Sequence, residues 1–145
     1  MHWDGKLPVD PTELAKRLGA DVVAIDGNSA NGLSGKLDVC NGKSTISYNR
    51  DEMSLRQRFT IAHELGHLVL NHGPSFRDPA QNYSLYNYDP DEVDANKFAA
   101  ELLMPEEAIN ILIEKHGISN IGELSRRFMV SQQAMEFRLK NLGWL

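Results

Sequence analysis

The stretch Arg58 to His72, RFTIAHELGHLVLNH, decides how the rest of the chain is read. Inside it lies HELGH, His63-Glu64-Leu65-Gly66-His67. Residues four apart on an α-helix share a face, with Cβ atoms about 5–6 Å apart. Two imidazoles held in that way can bind one Zn²⁺ at about 2.0–2.1 Å each. Glu64, beside the first histidine, is then placed to take a proton from a water that the metal activates. Phe59, Ile61, Ala62, Leu65, Leu68, Val69 and Leu70 recur mostly at three- and four-residue intervals, so the helix is buried over much of its circumference. Two histidines and a glutamate on such a helix need partners, because burying a polar group unpaired is costly. A metal ion satisfies them together.

Composition bounds the rest. A chain of 145 residues with 41% hydrophobic and 24% charged content suits one ordinary globular core. The net charge of −5 argues against general adhesion to nucleic acid or anionic membranes. Cys40 is the sole cysteine, which excludes an intrachain disulfide and gives no sign of secretion; it reads as a plain strand or turn residue rather than a zinc ligand. No apolar leader opens the chain and no apolar run approaches the length of a membrane span, so a cytoplasmic location is expected.

Outward from the central helix, the local signals alternate between helix and strand. Asp10-Pro11-Thr12-Glu13 opens a first helix, with Leu14, Leu18 and Ala15 as its apolar stripe and Gly19 as its stop. Val22 to Ile25 is a β-branched run. Gly32 to Val39 and Lys43 to Tyr48 read as two strands joined by Asn41-Gly42, a hairpin signal. The alternation in the second of these suggests a half-exposed strand near a sheet edge. Ser54 to Gln57 fits a capping box at the start of the HELGH helix, which runs to about Asn71 before Gly73-Pro74 stops it. Residues 74 to 91 form a long polar segment carrying Phe76, Tyr83, Tyr86 and Tyr88, either a flexible excursion or a rim over the site.

Asp89-Pro90 opens the next helix, whose core stripe is Ala95, Phe98, Ala99, Leu102 and Leu103; small Ala95 and Ala99 allow close packing against another helix. Pro105 ends it, and a further helix spans Glu106 to His116, closed by Gly117. The remainder, 118–145, reads as two helices. Ile121, Leu124 and Phe128 line one; Ser131 caps the other, with Ala134, Met135, Phe137, Leu139 and Leu142 apolar. The break at Met129-Val130-Ser131 resembles a helix-turn-helix joint. Arg126, Arg127, Arg138 and Lys140 stand against Glu123 and Glu136, a surplus too weak for clustered phosphate contacts, so a helical cap is preferred over DNA contact.

A catalytic zinc site needs three protein ligands and an open position. His72 is one candidate for the third, although on a continuing helix it points well away from the pair. Glu92, Asp94 and Glu101 are the others. Glu92 shares a face with Asn96 and lies in the first turn of its helix. Asp94 is rotated roughly 200° from Glu92, so only one of the two can face a metal. Spacing alone leaves the choice open, since Glu92 also suits a helix-capping acid.

RFTIAHELGHLVLNH, followed about twenty residues later by EVDANKFAAELLMP (Glu92 to Pro105), resembles the ImmA/IrrE family of zinc metallopeptidases, a group of HExxH, gluzincin-like enzymes. The resemblance implies Zn²⁺ as cofactor, His63 and His67 as ligands, Glu64 as general base, and Glu92, four residues before Asn96, as third ligand. It implies an α+β fold: a zincin-like core with a small antiparallel or mixed sheet packed on the HExxH helix over 1–117, and a helical, helix-turn-helix-like segment over 118–145. It further implies a zinc-dependent endopeptidase that cleaves a helix-turn-helix repressor encoded nearby, in mobile-element, toxin–antitoxin or stress regulation. The rival reading is a zinc-stabilised regulatory module that binds a transcription factor or DNA without hydrolysis. Mn²⁺ or Fe²⁺ also suits a His₂Glu set. Tyr48, Tyr83, Tyr86 and Tyr88 are alternative oxyanion stabilisers. The strand Lys43 to Tyr48 is expected to offer an edge for a substrate strand.

Overall fold

The computed structural model describes residues 3–72, 75–77 and 89–145, with the backbone path alone at 75–77. Gly73-Pro74 and Tyr83, Tyr86 and Tyr88 lie outside the described residues, as does most of the segment expected to rim the site. The chain forms two compact units, one of Pro11–Ala99 and one of Met1–Asp10 with Ala100–Leu145. The division falls inside a helix. No helix among the described residues is long and apolar enough to cross a membrane.

The larger unit is α+β. Helix α1 (Pro11–Arg17) starts at the expected proline, and Gly19 ends it at φ 87°. Pro11 and Ala15 are its buried residues, while Leu18, expected on the same stripe as Ala15, is exposed. Strands β1 (Ala20–Ile25), β2 (Gly35–Cys40) and β3 (Lys43–Asn49) follow, then helix α2 (Ser54–Val69) and the short strand β4 (Ser75–Arg77). Asn41 and Gly42 join β2 to β3 with φ values of 53° and 78°, the two positive angles of a tight hairpin turn. Cys40 ends β2 and is exposed, as a plain strand residue would be. Helix α3 (Pro90–Leu103) completes the unit as far as Ala99.

The sheet runs in the order β1-β3-β2-β4, with β1 parallel to β3 and the other pairs antiparallel. This corrects the edge assignment. β3 is central, bonded on both sides, so it offers no free edge to a substrate strand. Alternation reports which face of a strand is wet, not whether its hydrogen-bonding edges are free. Here even that signal misleads, because Ile46 and Ser47 are both buried. Small hydroxyl side chains such as Ser47 fit a crowded central strand.

Helix α2 packs on β2 and β3, and on α1. Its start also differs from expectation. Met53 is the N-cap and makes no side-chain cap bond, so the Ser54–Gln57 capping box does not form. The Gln57 amide instead donates to the carbonyls of Arg50 (3.0 Å) and Glu52 (2.7 Å). Arg56 Nε and Ser34 Oγ both donate to Glu52 Oε2, at 3.1 and 2.9 Å, tying the first helical turn to the approach to β2.

In the smaller unit, Pro105 precedes α4 (Glu106–Asn110), which runs into a π-helical turn at Ile111–Lys115; Gly117 ends it at φ 68°. Helices α5 (Ile121–Phe128) and α6 (Gln132–Asn141) form the expected pair. Met129 adopts φ 53° between them, and Ser131 Oγ accepts from the Ala134 N–H at 3.1 Å as N-cap. Leu124, Phe128, Met135 and Leu139 are buried, while Phe137, expected to be apolar core, is exposed. Arg138 Nε donates to the Met104 carbonyl at 3.0 Å, satisfying a backbone acceptor just past the end of α3.

At Gly35, β2 comes close against α2. A Cβ there would stand 2.4 Å from Thr60 Cγ2 and 2.8 Å from the Ser47 carbonyl oxygen, which is backbone and cannot swing aside. Gly35→Ala is therefore expected to destabilise the protein by about 1–3 kcal/mol through overpacking. Urea unfolding checks this; a variant as stable as the wild type would show that the helix and strand are free to separate.

Candidate metal centre

The C-terminal half of α2 is its most buried part. His63, Glu64 and His67 are each at most 1% exposed. Gly66 lies between the two histidines, and the backbone of α3 comes up against it. A Cβ at Gly66 would stand 3.1 Å from Phe98 Cβ and 3.2 Å from Ala95 Cα. That approach is possible because Ala95 and Gly66 are small. It brings Glu92, one turn before Ala95 and Asn96, over the pair of imidazoles.

Three donor groups converge there. His63 Nε2 is 2.8 Å from Glu92 Oε2, His67 Nε2 is 2.9 Å from Glu92 Oε1, and the two Nε2 atoms are 3.1 Å apart. Donors on a tetrahedral Zn²⁺ at about 2.0–2.1 Å stand roughly 3.3 Å apart. The observed separations fall a few tenths of an ångström short of that. His63, His67 and Glu92 form the group among the described residues that could hold a metal ion.

The opposite ring nitrogens support the same arrangement. His63 Nδ1 is 2.7 Å from Asn96 Oδ1. With the amide oxygen assigned to that side, Nδ1 carries the proton and a neutral ring turns a lone pair on Nε2 toward the Glu92 carboxylate. Two lone pairs at 2.8 Å repel unless a cation lies between them. Either a proton or a metal ion serves, and the nitrogen and oxygen donors suit Zn²⁺.

The other candidates separate cleanly. Asp94 is exposed, on the far side of α3 as its rotation requires, and Glu101 is exposed in the other unit. His72 is not part of the converging group, yet it does not point away from it either. After the C-cap Leu70, Asn71 turns left-handed at φ 62°. The N–H groups of Asn71 and His72 then bond back to the carbonyls of Leu68 (3.2 Å) and His67 (2.9 Å). This helix-ending turn folds His72 over His67, with Nδ1 to Nδ1 at 2.9 Å. Asn71 was the available signal, since asparagine tolerates the left-handed conformation that ends helices. Of the four candidate tyrosines, Tyr48 alone lies among the described residues. It is half-buried, and it pairs with Gly35, whose missing side chain faces Thr60 and Glu64 of α2.

The charges hold each other in place. Burial on its own would raise the Glu92 pKa, but hydrogen bonds from His63 and His67, with their positive charge, pull it down to about 2. Burial would lower that of His67, yet the Glu92 hydrogen bond and the charges of Glu92, Glu64 and Asp91 leave it raised above 6.5. In the metal-free protein, the His67 contribution to stability is full below pH 6.5 and is lost as pH rises through the folded value. The Glu92 contribution is present above pH 4.5 and is lost as pH falls through about 2. A metal must displace the protons that the two imidazoles donate to Glu92 and none from Glu92 itself. Zinc affinity is therefore expected to climb with pH, by up to about tenfold per unit for each displaced proton, and to level off above the folded pKa of His67. Competition with a chelator of known pH dependence checks this, and a flat profile would contradict the protonated pair.

The family model described as the IrrE N-terminal-like domain, Peptidase_M78, matches residues 15–140, nearly the whole chain. No curated protein matches the chain at a significant level. The match takes in α2 and α3 together, and so every residue of the converging group, within a family of metallopeptidase type. The chain belongs to the Peptidase_M78, IrrE N-terminal-like family.

Proposed function

We propose that the protein is a Zn²⁺-dependent endopeptidase. The convergence of His63, His67 and Glu92, with Glu64 buried on the same helix as the two histidines, carries this reading. His63, His67 and Glu92 would hold the metal, which when bound supplies a Lewis acid that makes water more acidic and polarises a peptide carbonyl. Asn96 fixes His63 by accepting its Nδ1–H. Glu64 acts as general base: it takes a proton from the water that adds to the scissile carbonyl carbon. As the C–N bond breaks, Glu64 returns that proton to the departing amine nitrogen. Glu64 is fully buried on the α2 face that meets Gly35, a setting where a carboxylate exchanges protons with little competition from bulk water.

The proposed substrate is a helix-turn-helix repressor encoded nearby, met in the cytoplasm, with cleavage relieving repression of mobile-element, toxin–antitoxin or stress genes. Its support is the family resemblance in the two motif helices. Non-hydrolytic DNA binding through 118–145 gains little from the structure. The exposed residues of α6 are Gln132, Gln133, Glu136, Phe137, Lys140 and Asn141, in which one lysine faces one glutamate. That is not a surface built to neutralise phosphates.

Two substitutions test the reading. Glu64→Gln keeps the shape and removes the base, so peptide cleavage is expected to fall by about 10²–10⁴-fold with zinc content unchanged. Full activity in that variant would sink the endopeptidase reading. Glu92→Ala is expected to lower zinc content below the near-stoichiometric level of the wild type. Equal zinc in both would assign the third ligand elsewhere.

A further inference from the structure

We propose that His72 is a positioning residue of the metal centre: it accepts the Nδ1–H of His67 and so keeps the Nε2 lone pair of that ring turned toward His63 and Glu92. This rests on the metal-centre reading above. His67 Nδ1 and His72 Nδ1 are 2.9 Å apart, so one of them carries the proton between them. A His67 ring that gives its Nε2 lone pair to a metal has its proton on Nδ1. His72 Nδ1 is then the acceptor, and a neutral His72 carries its own proton on Nε2. On that side lies Asp91 Oδ1, 3.6 Å away, whose negative charge favours this tautomer.

The arrangement is held by backbone and shielded from water. The left-handed turn at Asn71 and the His72 N–H bond to the His67 carbonyl fix the ring's approach. The two rings meet edge to face, with centroids 5.1 Å apart and planes at 68°. The His72 side chain is only 12% exposed, so water competes poorly for the Nδ1 of His67. The same task at His63 falls to an amide oxygen, that of Asn96, at 2.7 Å. The two ligand histidines therefore have one acceptor each, supplied by α3 for one and by the end of α2 for the other. Partners of this kind set the tautomer and basicity of a ligand histidine, and their loss typically weakens metal binding 10–100-fold.

The equivalence of the two acceptors gives the test. His72→Phe keeps an aromatic ring at the contact and removes the acceptor. His72→Asn supplies an oxygen in place of the Nδ1 atom, as Asn96 does for His63. Zinc affinity is measured by competition with a chromophoric chelator, with far-ultraviolet circular dichroism of the metal-free proteins reporting the fold. The expected result is a loss of about 10–100-fold for His72→Phe and recovery to within about threefold of wild type for His72→Asn. Wild-type affinity in a folded His72→Phe protein would overturn the proposal, as would equal losses in both variants. Long-range ¹H–¹⁵N correlation of the zinc-loaded wild type reads the same question without substitution. Protons on His67 Nδ1 and His72 Nε2 support the assignment, and a proton on His72 Nδ1 overturns it. A wild type that takes up no zinc overturns the metallopeptidase reading itself, a distinct outcome from either result above.

Discussion

The contact between α2 and α3 at Gly66 is the constraint on which the rest of the larger unit depends. A carboxylate from one helix has to reach two imidazoles on another at 2.8 and 2.9 Å. Helix axes usually pack 8–10 Å apart, and the side chains at the contact set the value. Here the contact is made by a glycine against the Cα of an alanine and the Cβ of a phenylalanine. Any larger residue at Gly66 would press on Ala95 and Phe98 of α3, the helix that carries Glu92 one turn earlier. The packing of two small residues is thus part of the metal chemistry, although neither touches a ligand atom.

A second requirement follows from burial. His63, Glu64 and His67 are buried, where an unpaired charge is very costly. Each imidazole meets this cost by using both nitrogens. The Nε2 atoms face the Glu92 carboxylate, and the Nδ1 atoms face Asn96 and His72. Networks of this kind rigidify a site when every member is satisfied. They also leave one position, between the Nε2 atoms and the carboxylate, that only a cation satisfies. The feature that makes the region functional is the same one that leaves its charges mutually dependent.

The sheet serves this arrangement from the other side. β3 is locked between a parallel and an antiparallel neighbour, so β2 is held firmly against α2. Gly35 then lets the Thr60–Glu64 face of the helix settle onto the strand without a side chain between. The helix that carries the ligands is consequently gripped on two faces, by a glycine on the strand and by its own glycine against α3. Loose support would blur donor separations that differ from a tetrahedral edge by only tenths of an ångström.

Much of this was legible in the sequence because it is local. HELGH fixes the i, i+4 spacing of two histidines, Pro11 and Pro90 mark helix starts, Asn41-Gly42 marks the hairpin, and Ser131 marks a cap; each acts through its own few residues of backbone. The choice of Glu92 over Asp94 was half legible, since helical rotation makes the two exclusive but cannot say which face meets α2. Three features were decided by tertiary structure alone. The parallel pairing of β1 with β3 joins segments distant in sequence, so strand alternation could not show that β3 is central. Gln57 found carbonyls in the preceding loop instead of the cap N–H, because the path of that loop put them nearer. A helix continued through His72 would point its ring away from the pair, whereas one left-handed residue at Asn71 reverses the chain and lays the ring on His67. The sequence determines what each short segment prefers; the fold decides which distant groups meet, because that depends on how helices and strands pack rather than on how they form.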